Sequence, residues 1–187
     1  MMKMHLGLLA VVFALGACVH SPVTTVAGVT TPSNKVYEGE ILDFYSTHEP
    51  YGEFSNFARF PVFVDGEWWP TSEHYYQAHK YETSELMKWV QSAPTPMEAA
   101  SRGRDKSVPK RADWEQRKDE FMEKAVWDKF TRYPELQNLL LSTGSARLYE
   151  HTKNDCYWGD CGDRSGKNHL GLLLEKVRES LKTSSSK

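Results

Sequence analysis

The stretch FPVFVDGEWWPTSEHYYQAHKYE, Phe60 to Glu82, constrains the fold more than any other part of the chain. Phe60–Val64 and Glu67–Trp69 are short apolar runs joined by Asp65-Gly66, a dipeptide that tolerates the left-handed conformations of a tight hairpin turn. Pro70-Thr71-Ser72 then opens a helix that the pattern predicts through about Glu82, with Ser72 as its N-cap. A hairpin feeding directly into a helix sets which face of that helix is buried. Glu73, Gln77 and Lys80 stand on it at i, i+4 and i+7, a polar stripe on one side. Trp68, Trp69, Tyr75, Tyr76 and Tyr81 surround that stripe. Polar residues enclosed by aromatics have the composition of a pocket wall, whereas a solvated face would carry charges without the rings.

Downstream the pattern is mostly helical. Ser84–Ser92 is a second helical piece, broken by Pro94 and Pro96, and Pro96–Arg102 is a third. Arg102–Arg111 is basic and punctuated by glycine and proline, hence a loop. Asp113 is placed to cap a long helix, Trp114–Phe130, in which Trp114, Phe121, Met122, Ala125 and Phe130 recur at helical spacing. Pro134–Leu141 forms a further helix ended at Thr143-Gly144. Leu170, Leu173, Leu174, Val177 and Leu181 form an apolar stripe on the last one. Glu40–Phe44 and Arg147–Glu150 are short strand candidates, and Tyr45–Asn56 reads as a loop. The expected fold class is α+β: a mainly helical single domain with a small β-sheet.

That domain spans residues 37–182 of the 187. Residues 183–187 are expected to be a disordered tail. Residues 1–17 carry Lys3 and the apolar run Leu6–Leu15, the dimensions of a signal peptide. Leu15-Gly16-Ala17-Cys18 resembles a bacterial lipobox, which implies lipidation at Cys18. Residues 18–36, rich in Ser, Thr and Pro, then form a tether. Val19 follows the cysteine, and the resemblance to known lipoproteins implies outer-membrane retention facing the periplasm; an unused signal leaves the protein cytoplasmic. With 23 basic against 25 acidic residues, the chain is not a bulk nucleic-acid binder. No apolar run is long enough to span a membrane as a mature helix, which needs about 20 residues.

Three places have the residues for chemistry. Glu73 lies in a first helical turn, where the helix dipole favours an ionised carboxylate. Capping alone accounts for an isolated glutamate there, and the polar stripe is what adds a functional reading. The loop EHTKNDCYWGDCGDRSGKN, Glu150–Asn168, joins acids and Trp158 to Gly166-Lys167-Asn168 directly before a helix. Cys161 stands where a phosphate loop has its first glycine, and Asn168 replaces Ser/Thr. A glycine turn at a helix N-terminus still offers backbone N–H groups to phosphate, with Lys167 adding charge; otherwise Asn168 simply caps the helix. Trp114, near Arg102, Arg104, Lys106 and Lys110, is either core or a platform for a base whose phosphate those cations hold. His74 and His79 are five apart, off one helix face, so no metal site is expected. Cys156 and Cys161 form a disulfide stapling the loop in an oxidising compartment, or remain free thiols; both readings stay open.

Several motifs then converge. Phe44-Tyr45-Ser46, Phe54-Ser55-Asn56-Phe57, Trp69 through Ala78, Trp114 in Asp-Trp-Glu, Lys129-Phe130, Leu148 through Asp155, Trp158-Gly159 and Gly166-Lys167-Asn168 together resemble the NADAR superfamily. The resemblance is nearest to its bacterial riboflavin-biosynthesis-intermediate N-glycosidases and runs from about Ile41 to Leu181. It implies hydrolysis, without a cofactor, of the C–N bond between a ribose phosphate and a heterocyclic amine, such as a ribosylamino-pyrimidine phosphate. Alternatives are an ADP-ribosyl-guanine hydrolase, or a membrane-tethered nucleotide-sugar binder without turnover. The family's functional Glu, Trp and Asp fall on Glu73, Trp114 and Asp155. The expectation is an ionised Glu73 beside an oxocarbenium-like centre, Asp155 on ribose hydroxyls or sharing acid–base work, and Trp114 stacked on the ring. Gln77, Lys80, Arg102, Arg104, Trp158, Lys167 and Asn168 are the expected substrate and phosphate contacts. Two departures stand out: Cys161 replaces a family glycine, and a lipobox precedes a domain whose relatives act on cytosolic compounds.

Overall fold

In the computed structural model, which describes residues 39–184, Asp65 and Gly66 take positive φ values of 52° and 84° and close the hairpin. Its strands are β2 (Val62–Val64) and β3 (Glu67–Trp69), paired antiparallel with Val62 opposite Trp69. The expected signal peptide, Cys18 and the tether lie outside the described residues, as do 185–187 of the tail. β1 (Ile41–Phe44) pairs in parallel with β4 (Arg147–Glu150), placing Phe44 opposite Glu150. The small sheet is thus two separate two-stranded pieces.

The helices are α1 (Ser72–Ala78), α2 (Ser84–Gln91), α3 (Pro96–Gly103), α4 (Trp114–Arg132), α5 (Pro134–Ser142) and α6 (His169–Ser184). α1 differs from expectation at both ends. Thr71 is its N-cap, the side chain accepting from His74 N–H, because Ser72 is already helical. It stops at Ala78, well before Glu82: the chain tightens there through Lys80 N–H to Gln77 O and Tyr81 N–H to Ala78 O, while Arg111 N–H takes the Lys80 carbonyl. Asp113 precedes α4 but does not cap it, since its carboxylate is held by Arg111. α6 continues to Ser184, past the expected domain end at 182.

Tyr75, Phe54, Phe130, Leu136, Leu148 and Leu174 are fully buried where α1, α4, α5, α6 and β4 meet. Each such side chain contributes about 1.5–3 kcal/mol of burial. One cation sits among them. Lys129 on α4 is fully buried, and its Nζ donates to Ser55 O at 2.9 Å. Desolvation pulls this ammonium down to about 7. The bond anchors the segment that presents Asn56 and Phe57 to the cavity described below.

Candidate active site

The loop after β4 is ordered by a buried carboxylate. Asp160 accepts from Thr152 N–H at 3.2 Å and Gly162 N–H at 2.8 Å, and its Oδ2 lies 2.8 Å from His151 Nδ1. Cys156 and Cys161 are joined by a disulfide, with Cα atoms 4.4 Å apart. Just before that ring, Asp155 Oδ1 accepts from two amides within it, Tyr157 N–H and Trp158 N–H, both at 2.7 Å. Two donors on one oxygen fix the carboxyl's direction. Trp158 is fixed in turn, its Nε1 donating to Tyr76 Oη at 3.0 Å.

This loop closes one side of a cavity of about 350 Å³. α1 supplies Glu73, Tyr76 and Gln77, with Lys80 just beyond its end, and Arg104 follows α3. α4 supplies Trp114, Lys118 and Met122; β4 and its loop supply Glu150, Asp155, Tyr157 and Trp158. Glu73, Trp114 and Asp155, far apart in the chain, therefore share one wall-to-wall space with Gln77, Lys80, Arg104 and Trp158.

Glu73 is 5% exposed, and Gln77 Nε2 donates to its Oε1 at 2.7 Å. Gly103 leaves room for this pairing: a Cβ there would stand 2.0 Å from Gln77 Oε1. Burial raises the Glu73 carboxyl above its usual range, and the charge of Asp155 adds to this, against Gln77, Lys80 and Arg104. The helix dipole, expected to favour the ionised carboxyl, is not what sets Glu73. α1 is short, Glu73 N–H is already bonded to Asn56 O, and desolvation outweighs the dipole. Trp114 is both core and wall: 4% exposed, it stacks on Phe121 with centroids 6.1 Å apart and meets Tyr76 at 5.0 Å.

The same cavity carries cations. Lys80 Nζ donates to Gly103 O at 3.1 Å and lies 5.5 Å from the Trp114 ring. Desolvation first, then neighbouring Lys110, lowers its ammonium to about 8. Arg104 has no ion-pair partner among the described residues. Lys118 pairs with Glu115 at 2.7 Å and lies 3.7 Å from the Tyr157 ring centroid.

Three expected contacts are not brought to the cavity. Arg102 turns to the α2–α3 seam, where its guanidinium bonds Glu98, Ser92 and the Trp89 carbonyl and covers the Trp89 ring. Asn168 is buried, bonding Leu148 O and Glu150 N–H at 2.7 and 3.0 Å, and so ties α6 to β4. Lys167 does not line the cavity; its Nζ lies over the Tyr157 ring, 5.1 Å from the centroid. The supposed phosphate turn is occupied by its own loop: the N–H groups of 167–170 donate to the carbonyls of Cys156, Gly159, Tyr157 and Trp158.

One residue that sequence reasoning did not single out is Glu150, the last residue of β4, which lines the cavity. Burial, then the charges of Asp155, Glu73 and Asp160, push its carboxyl up to about 8. Its only signal in the sequence is an acid at the strand-to-loop junction. Tyr45, Asn56 and Lys118 also line the space. Among the described residues no group of three or more His, Cys, Asp or Glu is placed to hold a metal ion. A larger, shallower groove of about 680 Å³ lies against Asp65, Asp119, Glu120, Glu123 and Asp128, with Lys124 the one cation among its described lining residues; its charge repels a phosphate.

A cavity that combines carboxyls, cations and indoles can hold an aromatic ring and an anionic group of a small molecule together. Comparison with known proteins agrees in kind. The family model described as the NADAR domain matches residues 43–182. N-glycosidase YbiA of Escherichia coli is 50% identical over 146 residues, 78% of this chain and 91% of that protein. A chloroplastic riboflavin biosynthesis protein of Zea mays, PYRR, is 38% identical over 80% of this chain, which spans 26% of the maize protein. The NMR structure of E. coli YbiA superposes with a TM-score of 0.77 at 47% identity, covering 83% of this chain and 92% of that one.

Proposed function

The chain belongs to the NADAR family and is an N-glycosidase, and we propose that its substrates are phosphorylated N-ribosides of heterocyclic amines, in particular the ribosylamino-pyrimidine phosphates of riboflavin synthesis. The observation that carries this reading is the juxtaposition, in one cavity of about 350 Å³, of Glu73 and Asp155 with Lys80, Arg104, Trp114 and Trp158. The riboflavin assignment of the maize relative points to the same substrates.

In this reading Lys80 and Arg104 hold the phosphate and Trp114 and Trp158 flank the ring. The ribose then lies against the carboxyls. As the C–N bond lengthens, positive charge grows on the sugar, and the neighbouring carboxyls stabilise it. Glu73 takes a proton from the attacking water. Asp155, oriented by the Tyr157 and Trp158 amides, receives the ribose hydroxyls. Purified protein incubated with a ribosylamino-pyrimidine phosphate, an ADP-ribosylated guanine nucleoside or NAD is expected to release free base from the first alone. Release from the second and not the first would transfer the assignment to de-ADP-ribosylation. Binding without release from any would make this a sugar-phosphate binder.

The compartment is part of the same proposal. The run Leu6–Leu15 and Leu15-Gly16-Ala17-Cys18 support a bacterial outer-membrane lipoprotein whose domain faces the periplasm. Mass spectrometry of the isolated protein is expected to show loss of residues 1–17 and an acyl adduct on Cys18. An intact, unmodified N-terminus would place the enzyme in the cytoplasm.

A further inference from the structure

Cleaving a ribosylamine requires a proton on the departing nitrogen, and the cavity holds more than one carboxyl able to carry it. Three of them, Glu73, Glu150 and Asp155, line the same space, with Asp160 buried behind. Like charges confined together cannot all be ionised, so the cluster retains a proton on whichever member is least supported as an anion. The hydrogen bonds identify that member. Glu73 accepts from Gln77, Asp155 from two backbone amides, and Asp160 from two more with His151 beside it. The Glu150 carboxyl accepts from no group among the described residues. Its backbone is nonetheless rigid: N–H is bonded to Asn168 Oδ1, and the carbonyl accepts from Asp160 N–H. The side chain is thereby held at the end of β4, facing the cavity without a partner.

We propose that Glu150 is the general acid of the reaction, donating its proton to the nitrogen that leaves the ribose. This rests on the N-riboside reading above and adds a role to it. As the C1′–N bond breaks, its electron pair goes to nitrogen, which takes the proton from Glu150. Water oxygen bonds to C1′, and the water proton passes to Glu73. The two glutamates then exchange one proton through solvent, so the net reaction is hydrolysis to ribose phosphate and free amine. Burial and the surrounding acids, which bring Glu150 to about 8, keep it protonated at neutral pH.

The test is the pH dependence of Glu150→Gln and Glu150→Asp, on whichever N-riboside the parent cleaves. Parent kcat is expected to fall as pH rises through about 8, as a required acid loses its proton. Lys80 titrates in the same range in the same cavity, but as a phosphate contact it moves KM. Glu150→Gln is therefore expected to lose about 10²- to 10³-fold in kcat and to lose the alkaline limb of kcat, with KM and its own alkaline rise retained. Glu150→Asp should recover part of kcat with a displaced limb. Folding is checked by melting. The raised carboxyl costs the parent stability above its unfolded value near 4.5, so the glutamine variant should gain on the parent as pH rises from 4.5 to 8. A glutamine variant with parental kcat, or one with reduced kcat and the alkaline limb intact, overturns the assignment. Parental inactivity on ribosylamino-pyrimidine phosphates counts only against the substrate reading.

Discussion

Replacing Glu73 with glutamine is expected to lower kcat by about 10³-fold while KM stays within about threefold. The substitution keeps shape and the hydrogen bond. Gln77 Nε2 now donates to Glu73 Oε1 at 2.7 Å, and a glutamine oxygen accepts in the same place. What is lost is the capacity to take a proton from water and to carry negative charge beside the sugar. Each of these effects is worth about two to three powers of ten where it has been removed singly. Stability should move the other way. Because burial raises the Glu73 carboxyl, its ionised form destabilises the fold increasingly above the unfolded value of 4.5, and a neutral amide removes that cost. Above that pH the variant should therefore melt no lower than the parent, which separates a catalytic loss from a folding defect. A glutamine variant turning over at the parental rate would remove Glu73 from the chemistry.

Much of the fold was legible because its signals are local. Asp65-Gly66 marks a hairpin turn within two residues, and the apolar spacing of α4 and α6 needs no partner to be read. The capping of α1 was misplaced by one residue because Thr71 and Ser72 are both good caps, and only backbone geometry decides between them. Its early end was hidden because tertiary bonds from Arg111 and Tyr81 set it. The parallel pairing of β1 with β4 has no local trace: two four-residue strands lie at opposite ends of the domain. That pairing delivers Glu150 to the cavity, which is why an ordinary acid at a strand end gave no sign of its surroundings.

The site divided along the same line. Glu73, Gln77 and Lys80 were legible from spacing on one short segment. Arg102 and Arg104 were not separable, since residues two apart near a helix end point about 200° away from each other. One lines the cavity and the other seals the α2–α3 seam. The Gly166-Lys167-Asn168 turn has the composition of an anion site, but composition does not reveal that its amides are already taken by the loop's own carbonyls. The disulfide was open between two states in the sequence, and the structure shows it formed, closing a loop that holds Tyr157 and Trp158 immediately after Asp155.

The end of the cavity where the proposal places the phosphate carries the second large effect. Lys80 and Arg104 line it, and among the described residues Arg104 has no ion-pair partner to lose on binding. Arg104→Ala is expected to raise KM by about tenfold or more, the value of one charge-assisted contact, with kcat little changed. Carboxyls and cations act on one substrate, so the most direct measurement compares a ribosylamino-pyrimidine phosphate with the same compound lacking its phosphate. Free amine is quantified over time for parent and Arg104→Ala. The parent should favour the phosphorylated substrate by about 10²-fold in kcat/KM, and Arg104→Ala should erase about tenfold of that preference. Equal rates on both compounds, or a preference untouched by Arg104→Ala, would contradict a cavity that holds phosphate on its cations while its carboxyls cleave the ribosyl bond.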